Sequence, residues 1–324
     1  MPRADLIVNL VRAGTQGDQG LLKSTVEAMA AEERAKHHNL LADRLEENLR
    51  ATYARPKATE VVRSFDGGHG GLLYEIEPRR TLGSMLLSPE VFSASTEIVE
   101  EHQRRDLLRS YGLEPRHRIL LSGPPGNGKT TLAEAIAHEL MVPLFVVRYE
   151  AVVGSFLGET SGRLKRLFDF VRTHQCVLFF DEFDTLGKER GDTHETGEIK
   201  RVVSSLLLQI DALPSHVVVV TATNHAELLD RAVWRRFQLR LNLSGPTLAQ
   251  RIAWFERFQE RLGTPLGVSA KSLATKLQAV SFSDLEQFCE DVHRRYVLSL
   301  PNSDVRSVVS ARLEQWKNRV SSYA

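Results

Sequence analysis

Apolar positions along the chain fall into three regimes. Up to residue 57 they recur at helical spacing. Leu6, Ile7, Leu10 and Val11 mark a short amphipathic helix, which Gly14-Thr15-Gln16-Gly17-Asp18 interrupts. Leu22, Val26, Met29, Leu40, Leu41, Leu45 and Leu49 then resume the spacing as far as Pro56. Two helices about a glycine-containing turn predict an αα-hairpin over 1–57. Such a hairpin buries little by itself, so it is expected to recruit a partner or substrate.

Residues 58–88 read as a linker with two short strands, Thr59–Phe65 and Leu72–Ile76, around the turn Asp66–Gly71. Pro89 to Tyr111 reads as one helix. From Arg118 the regime changes. Short, almost wholly apolar runs at Ile119–Leu121, Leu144–Val147, Val177–Phe180, Val217–Thr221 and Leu239–Leu243 alternate with helical segments. That alternation predicts an α/β core over 89–245, with a parallel five-stranded sheet buried on both faces. After Pro246 the strands stop. Four helices are predicted on Leu248–Phe258, Leu273–Leu277, Leu285–Tyr296 and Val305–Val320, forming a small helical lid over 246–324. Ser283-Asp284-Leu285-Glu286 reads as the capping box of the third.

Composition narrows the classes. The 324 residues carry 42 Lys and Arg against 41 Asp and Glu, a net charge of +1. No basic excess points to nucleic acid, and a hydrophobic content of 42% argues against global disorder. The two cysteines, Cys176 and Cys289, are too few for a disulfide scaffold or a Cys-rich zinc site and suit a reducing compartment. The N-terminal apolar stretch is far shorter than the ~20 residues of a membrane span and lacks the form of a signal peptide. A cytoplasmic protein without a membrane partner is expected.

The sharpest chemical signal is Gly123-Pro124-Pro125-Gly126-Asn127-Gly128-Lys129-Thr130. It matches the phosphate-loop pattern, with a predicted strand before it and a helix from Thr131 after it. Glycines let backbone N–H groups turn inward around phosphate oxygens, and the helix adds its positive end. Lys129 supplies a point charge, and the Thr130 hydroxyl can ligate Mg²⁺. Val177–Phe180 ends in Asp181-Glu182, which places a metal-side carboxylate beside a proton acceptor for an attacking water. Asn224, at the end of the next buried strand, can reach a terminal phosphate or that water.

Together these motifs resemble the AAA family of ATPases over about residues 85–300. GPPGNGKT looks like its Walker A motif and LFFDEFD like Walker B with the catalytic Glu182. ATNHAELLDRAVWRRF looks like the second region of homology, with Asn224 at the sensor-1 place. The resemblance implies ATP and Mg²⁺ as cofactors and a homo-hexameric ring. It implies Arg235 and Arg236 as arginine fingers for the neighbouring subunit. Ser281-Phe282-Ser283-Asp284 is similar to the start of the family's lid helix, whereas Asp211-Ala212-Leu213 departs from its intersubunit signalling motif. Phe156-Leu157-Gly158 resembles the first pore loop, which grips unfolded polypeptide, and Lys188–Glu195 lies where the second would be. Phe156 as a core anchor is the competing reading. No HExxH occurs, so the chain does not resemble a self-contained metalloprotease of this family.

Three uses of ATP follow. The first is threading or remodelling of a protein client through a ring pore. The second is a switch that controls a separate effector. In this reading the chain resembles compact bacterial ATPase partners of subtilisin-like serine proteases. The third, a nucleic-acid loader, is disfavoured by the balanced charge.

Overall fold

The computed structural model describes residues 71–148, 157–183, 196–278, 280–300 and 304–321, together with Thr25, Ala28, Met29, Arg63 and Ser64. The chain divides into two compact units, Met1–Val61 and Val62–Ala324. Apart from Thr25, Ala28 and Met29, the predicted hairpin lies outside the described residues.

The second unit is built on a seven-stranded sheet. Its strands are β1 (Arg63–Ser64), β2 (Leu73–Ile76), β3 (Arg118–Ser122), β4 (Leu144–Val147), β5 (Cys176–Phe180), β6 (Val217–Thr223) and β7 (Leu239–Asn242). The order is β1-β2-β4-β5-β6-β3-β7. The five strands β4-β5-β6-β3-β7 are parallel, as the apolar runs predict. The sheet is nevertheless larger than the five strands expected. β2 pairs antiparallel with β4, with Leu73 opposite Val147 and Ile76 opposite Leu144, and β1 pairs antiparallel with β2. The two linker strands thus cover the edge that β4 would otherwise expose and leave only a two-residue strand at the rim.

Alternation explains why the central strands are apolar throughout. Cys176, Leu178 and Phe180 of β5 and Val217 and Val219 of β6 enter one core layer. Val177 and Phe179, with Val218, Val220 and Ala222, enter the layer on the opposite face. Helices α1 (Pro89–Gln103), α3 (Lys129–Leu140), α4 (Leu157–Val171) and α5 (Thr196–Asp211) belong to this α/β region. The segment expected as one helix from Pro89 to Tyr111 is two. Arg104 leaves the helical well (φ −107°, ψ 26°), and α2 (Arg105–Ser110) buries no residue that would hold it in line with α1.

A short turn of helix, α6 (Arg231–Trp234), precedes β7. The helices α7 (Leu248–Leu262), α8 (Ala270–Lys276), α9 (Phe282–Leu298) and α10 (Val305–Ser321) follow and enclose a third core around Phe255, Phe288, Val292 and Val309. The capping box of α9 is Ser281 with Asp284, two positions earlier than predicted. Asp284 N donates to Ser281 Oγ at 3.2 Å and Ser281 N to Asp284 Oδ2 at 2.8 Å. The shift has a physical reason: the next two helical N–H groups already have acceptors in the phosphate loop, as described below. No helix among the described residues is long and apolar enough to cross a membrane.

Two histidines lie at the entry to β3. His102 Nε2 lies 2.7 Å from Arg116 O, and His117, only 9% exposed, lies against the carbonyls of Pro115 and Leu213. Burial holds both imidazoles below their usual value. Arg105 adds to the effect at His102, and Arg118 and His102 add to it at His117, whereas Glu101 opposes it at His102. A base with a depressed folded pKa binds fewer protons folded than unfolded. Stability is therefore full above about pH 6.5 and falls as the pH drops through the unfolded value toward the folded one. The urea midpoint should decline between pH 7 and 5, and His117→Gln should shrink that decline. An identical decline in the variant would assign it to other groups.

Candidate functional site

β3 carries the chain to Gly123, where two constraints fix the loop. Gly123 adopts φ +134°, and a Cβ there would sit 2.2 Å from Leu243 O. Gly126 adopts φ +74°, and a Cβ there would meet Ser281 Oγ at 2.8 Å. Glycine is therefore required at both positions by conformation and by close approach. The loop wraps the start of α3. Lys129 is only 7% exposed, and its ammonium donates to Gly123 O at 2.7 Å, Pro124 O at 3.0 Å and Asn224 Oδ1 at 2.7 Å. A buried ammonium is tolerable only with such partners. Its geometry joins the end of β3 to the end of β6.

Next to β6, on the side away from β3, ends β5. Phe180 and Phe183 stack edge-to-face at 6.2 Å, Phe183 meets Phe237 at 6.0 Å, and Phe183 N donates to Ala222 O at 2.8 Å. Anchoring Phe183 in the core forces the two acids into a tight turn. Glu182 takes φ +46°, uncommon for a side-chain-bearing residue, and its N–H donates to Asp181 Oδ1 at 2.9 Å. Asp181 Oδ2 accepts from Thr130 Oγ1 at 3.3 Å.

The two ends of the sheet strands open into a cavity of about 400 Å³. Of the expected site residues, Pro125, Gly126, Asn127, Gly128, Lys129, Thr130, Thr131, Asp181, Glu182 and Asn224 all line it. Gly123 and Pro124 stand behind the wall and act through their carbonyls on Lys129. The far walls were not legible as a site. One is the stretch Arg80 and Ser84–Leu87, and the other is Trp254, Phe282, Ser283 and Glu286 of the lid. Trp254 and Phe282 form a ring pair at 5.7 Å. The lid docks directly on the loop: Ser283 N donates to Gly126 O at 2.9 Å and Phe282 N to Asn127 Oδ1 at 3.4 Å. The apolar run Met85-Leu86-Leu87, inside a supposed linker, was the available signal for the first wall.

Arg235 and Arg236 lie outside the cavity. Arg235 is exposed, while Arg236 Nε donates to Asp211 Oδ2 at 2.8 Å and Arg118 Nη1 to Asp211 Oδ1 at 2.6 Å. The two arginines expected to act alike therefore differ. Phe156 falls outside the described residues, and Leu157 and Gly158 open α4.

A phosphate loop at the carboxyl end of β3, flanked by an acidic strand end and a polar strand end, defines a P-loop nucleotide hydrolase with a helical lid. The sequence profile of the ATPase family associated with various cellular activities (AAA) matches residues 119–244. The chain is 33% identical over 302 residues to the AAA family ATPase y4kL of Sinorhizobium fredii, covering 92% of this chain and 90% of that protein. It is 33% identical over 193 residues to a cell division cycle protein 48 homolog of Archaeoglobus fulgidus (57% of this chain, 26% of that one). It is 32% identical over 214 residues to the ATP-dependent zinc metalloprotease FtsH 3 of Sphaerobacter thermophilus (64% and 44%). The chain belongs to the AAA family and is an ATPase that binds nucleotide and hydrolyses ATP.

The loop geometry gives a direct test. Gly123→Ala must displace either the loop or the Leu243 backbone, because both atoms in conflict are on the main chain. ATP affinity should fall by about tenfold or more, read as equilibrium binding of a fluorescent ATP analogue. Unchanged affinity would show that the loop is not the phosphate cradle.

Proposed function

We propose that this chain is a ring-forming ATPase that couples ATP hydrolysis to remodelling of a protein client threaded through a central pore. The carrying observation is the convergence of Lys129, Thr130, Asp181, Glu182 and Asn224 on one cavity from the ends of three neighbouring strands. The phosphates lie along Pro125–Thr131, with Lys129 exchanging carbonyl acceptors for phosphate oxygens. The base lies between the Met85–Leu87 wall and the Trp254–Phe282 pair, which offers it an aromatic surface.

Thr130 and Asp181 present two hard oxygen donors on the phosphate side, a set that suits Mg²⁺, an ion that keeps its waters and takes few protein ligands. Bound there, Mg²⁺ would neutralise charge on the terminal phosphates. Glu182 accepts the proton of the attacking water as the bond to the leaving ADP breaks, and Asn224 orients that water. Arg235, exposed and on a short helix end, serves a neighbouring subunit's terminal phosphate. Arg236, tied to Asp211, which also accepts from Arg118, holds that segment in place. A finger acting in trans requires a closed head-to-tail assembly, for which a homo-hexamer is the family's form. Cys176 and Cys289 are buried free thiols, and a reducing cytoplasmic setting is one in which free thiols persist.

Phe156-Leu157-Gly158 supplies the grip, and the hairpin predicted over 1–57 recruits the client. Glu182→Gln should bind ATP yet turn it over about 100-fold or more slowly, and in that trapped state it should retain its partner on a pull-down. An unfolded client supports threading, a captured protease supports the effector switch, and captured DNA would overturn both protein readings. In the otherwise unaltered chain, Phe156→Ala should abolish remodelling of that client while leaving most ATP hydrolysis. Full remodelling by this variant would remove Phe156 from the pore.

A further inference from the structure

Between β2 and α1, residues 79–87 pass around the short 3-10 turn Leu82–Ser84 and form a strap across the mouth of the cavity. At one end the strap hangs on α3, the helix that begins with Lys129 and Thr130. Arg79 N and Arg80 N both donate to Glu134 Oε1, at 3.0 and 3.1 Å, and Leu82 N donates to Glu139 Oε1 at 3.1 Å. The Leu82 side chain is buried beside them. At the other end the strap hangs on α7 of the lid. Ser84 O accepts from Arg257 Nη1 at 2.8 Å, and Leu86 O accepts from Gln250 Nε2 at 2.9 Å. Along the strap, Arg80, Ser84, Met85, Leu86 and Leu87 face the cavity. None of Glu134, Glu139, Gln250 or Arg257 lines it.

We infer that these four side chains are positioning residues: they set nucleotide affinity from outside the cavity by holding the strap between the phosphate-loop helix and the lid. The inference rests on the cavity being the nucleotide site. Its physical basis is preorganisation. Hydrogen bonds from backbone N–H groups to a carboxylate are strong and directional. A segment fixed at both ends gives the ligand a wall whose ordering entropy is already spent. Cutting either end returns that cost to the binding step. Glu182, on a different strand, keeps its geometry, so affinity falls while turnover at saturation holds.

A double-mutant cycle on the full chain separates this device from general destabilisation. Glu134→Ala removes the acceptor of Arg79 N and Arg80 N, two of the three strap bonds described at the α3 end. Gln250→Glu removes the donor to Leu86 O at the lid end. It retains the oxygen that accepts from Thr247 N at 2.9 Å in the cap of α7. ATP affinity is measured in a Glu182→Gln background and kcat in the otherwise unaltered chain.

Each single change should weaken ATP binding about five- to tenfold with kcat within about twofold, and the double variant should be no worse than about the weaker single, because both act on one segment. Glu134→Gln, which keeps an acceptor oxygen, should bind within about threefold of its parent. A double effect equal to the product of the singles, or undiminished affinity in folded singles, would overturn the inference. If Glu134→Ala does not fold, Gln250→Glu carries the test by itself, and unchanged affinity there overturns it. Absence of ATP binding by the parent chain would instead overturn the assignment of the cavity, and the strap's role with it.

Discussion

A lysine ammonium buried to 7% exposure is the constraint on which the site depends. Such a charge cannot be left without acceptors, and Gly123 O, Pro124 O and Asn224 Oδ1 are drawn from two separated stretches of chain. Two are main-chain carbonyls, available only because Gly123 and its neighbours curl back over α3. The third, Asn224 Oδ1, is delivered by β6, whose register on β3 is set by apolar side chains on both faces of the sheet. The acidic turn of β5 is fixed by a different force, the burial of Phe183 between Phe180 and Phe237. Hydrophobic packing thus aims polar groups that do not themselves hold one another firmly, as the 3.3 Å Thr130–Asp181 contact illustrates.

The lid belongs to the same mechanics. Its helix α9 places two N-terminal N–H groups on the phosphate loop, at Gly126 O and Asn127 Oδ1. Such groups are orphaned at any helix start and need acceptors from outside the helix. Here the loop provides them, and Gly126 lacks the side chain that would keep α9 away. The lid therefore lines the cavity directly through Trp254 of α7 and through Phe282, Ser283 and Glu286 of α9, and α7 also holds the strap. Arg118, Asp211 and Arg236 form a second polar tie, which separates the exposed Arg235 from its half-buried neighbour.

Much of this was legible in the residues. Four of the five parallel strands, β3 to β6, announce themselves because their middles are buried on both faces, whereas β7, at the sheet edge, alternates Leu239-Arg240-Leu241-Asn242 and buries only Leu241. The phosphate loop and the Asp181-Glu182 pair are local motifs whose spacing carries their chemistry. What escaped the sequence depends on distant partners. The antiparallel pairing of β2 on β4 is set by an uncovered edge and not by any pattern within Leu73–Ile76. The capping box falls at Ser281 and not Ser283 because the loop satisfies the intervening N–H groups. Residues 79–87 looked like linker because their ties are main-chain bonds to Glu134, Glu139, Gln250 and Arg257, which leave no signature in the strap's own side chains. The distinction between Arg235 and Arg236 likewise rests on Asp211, 25 residues away in sequence.

The central claim is that Lys129, held between the loop and Asn224, is the charge on which the nucleotide is bound. Equilibrium titration of ATP with Lys129→Ala against the unaltered chain tests it most directly. Affinity should fall by about 100-fold or more, the scale of a lost charge-assisted contact to phosphate, with the variant still folded. Affinity equal to that of the unaltered chain would place the nucleotide elsewhere and contradict the assignment of the cavity.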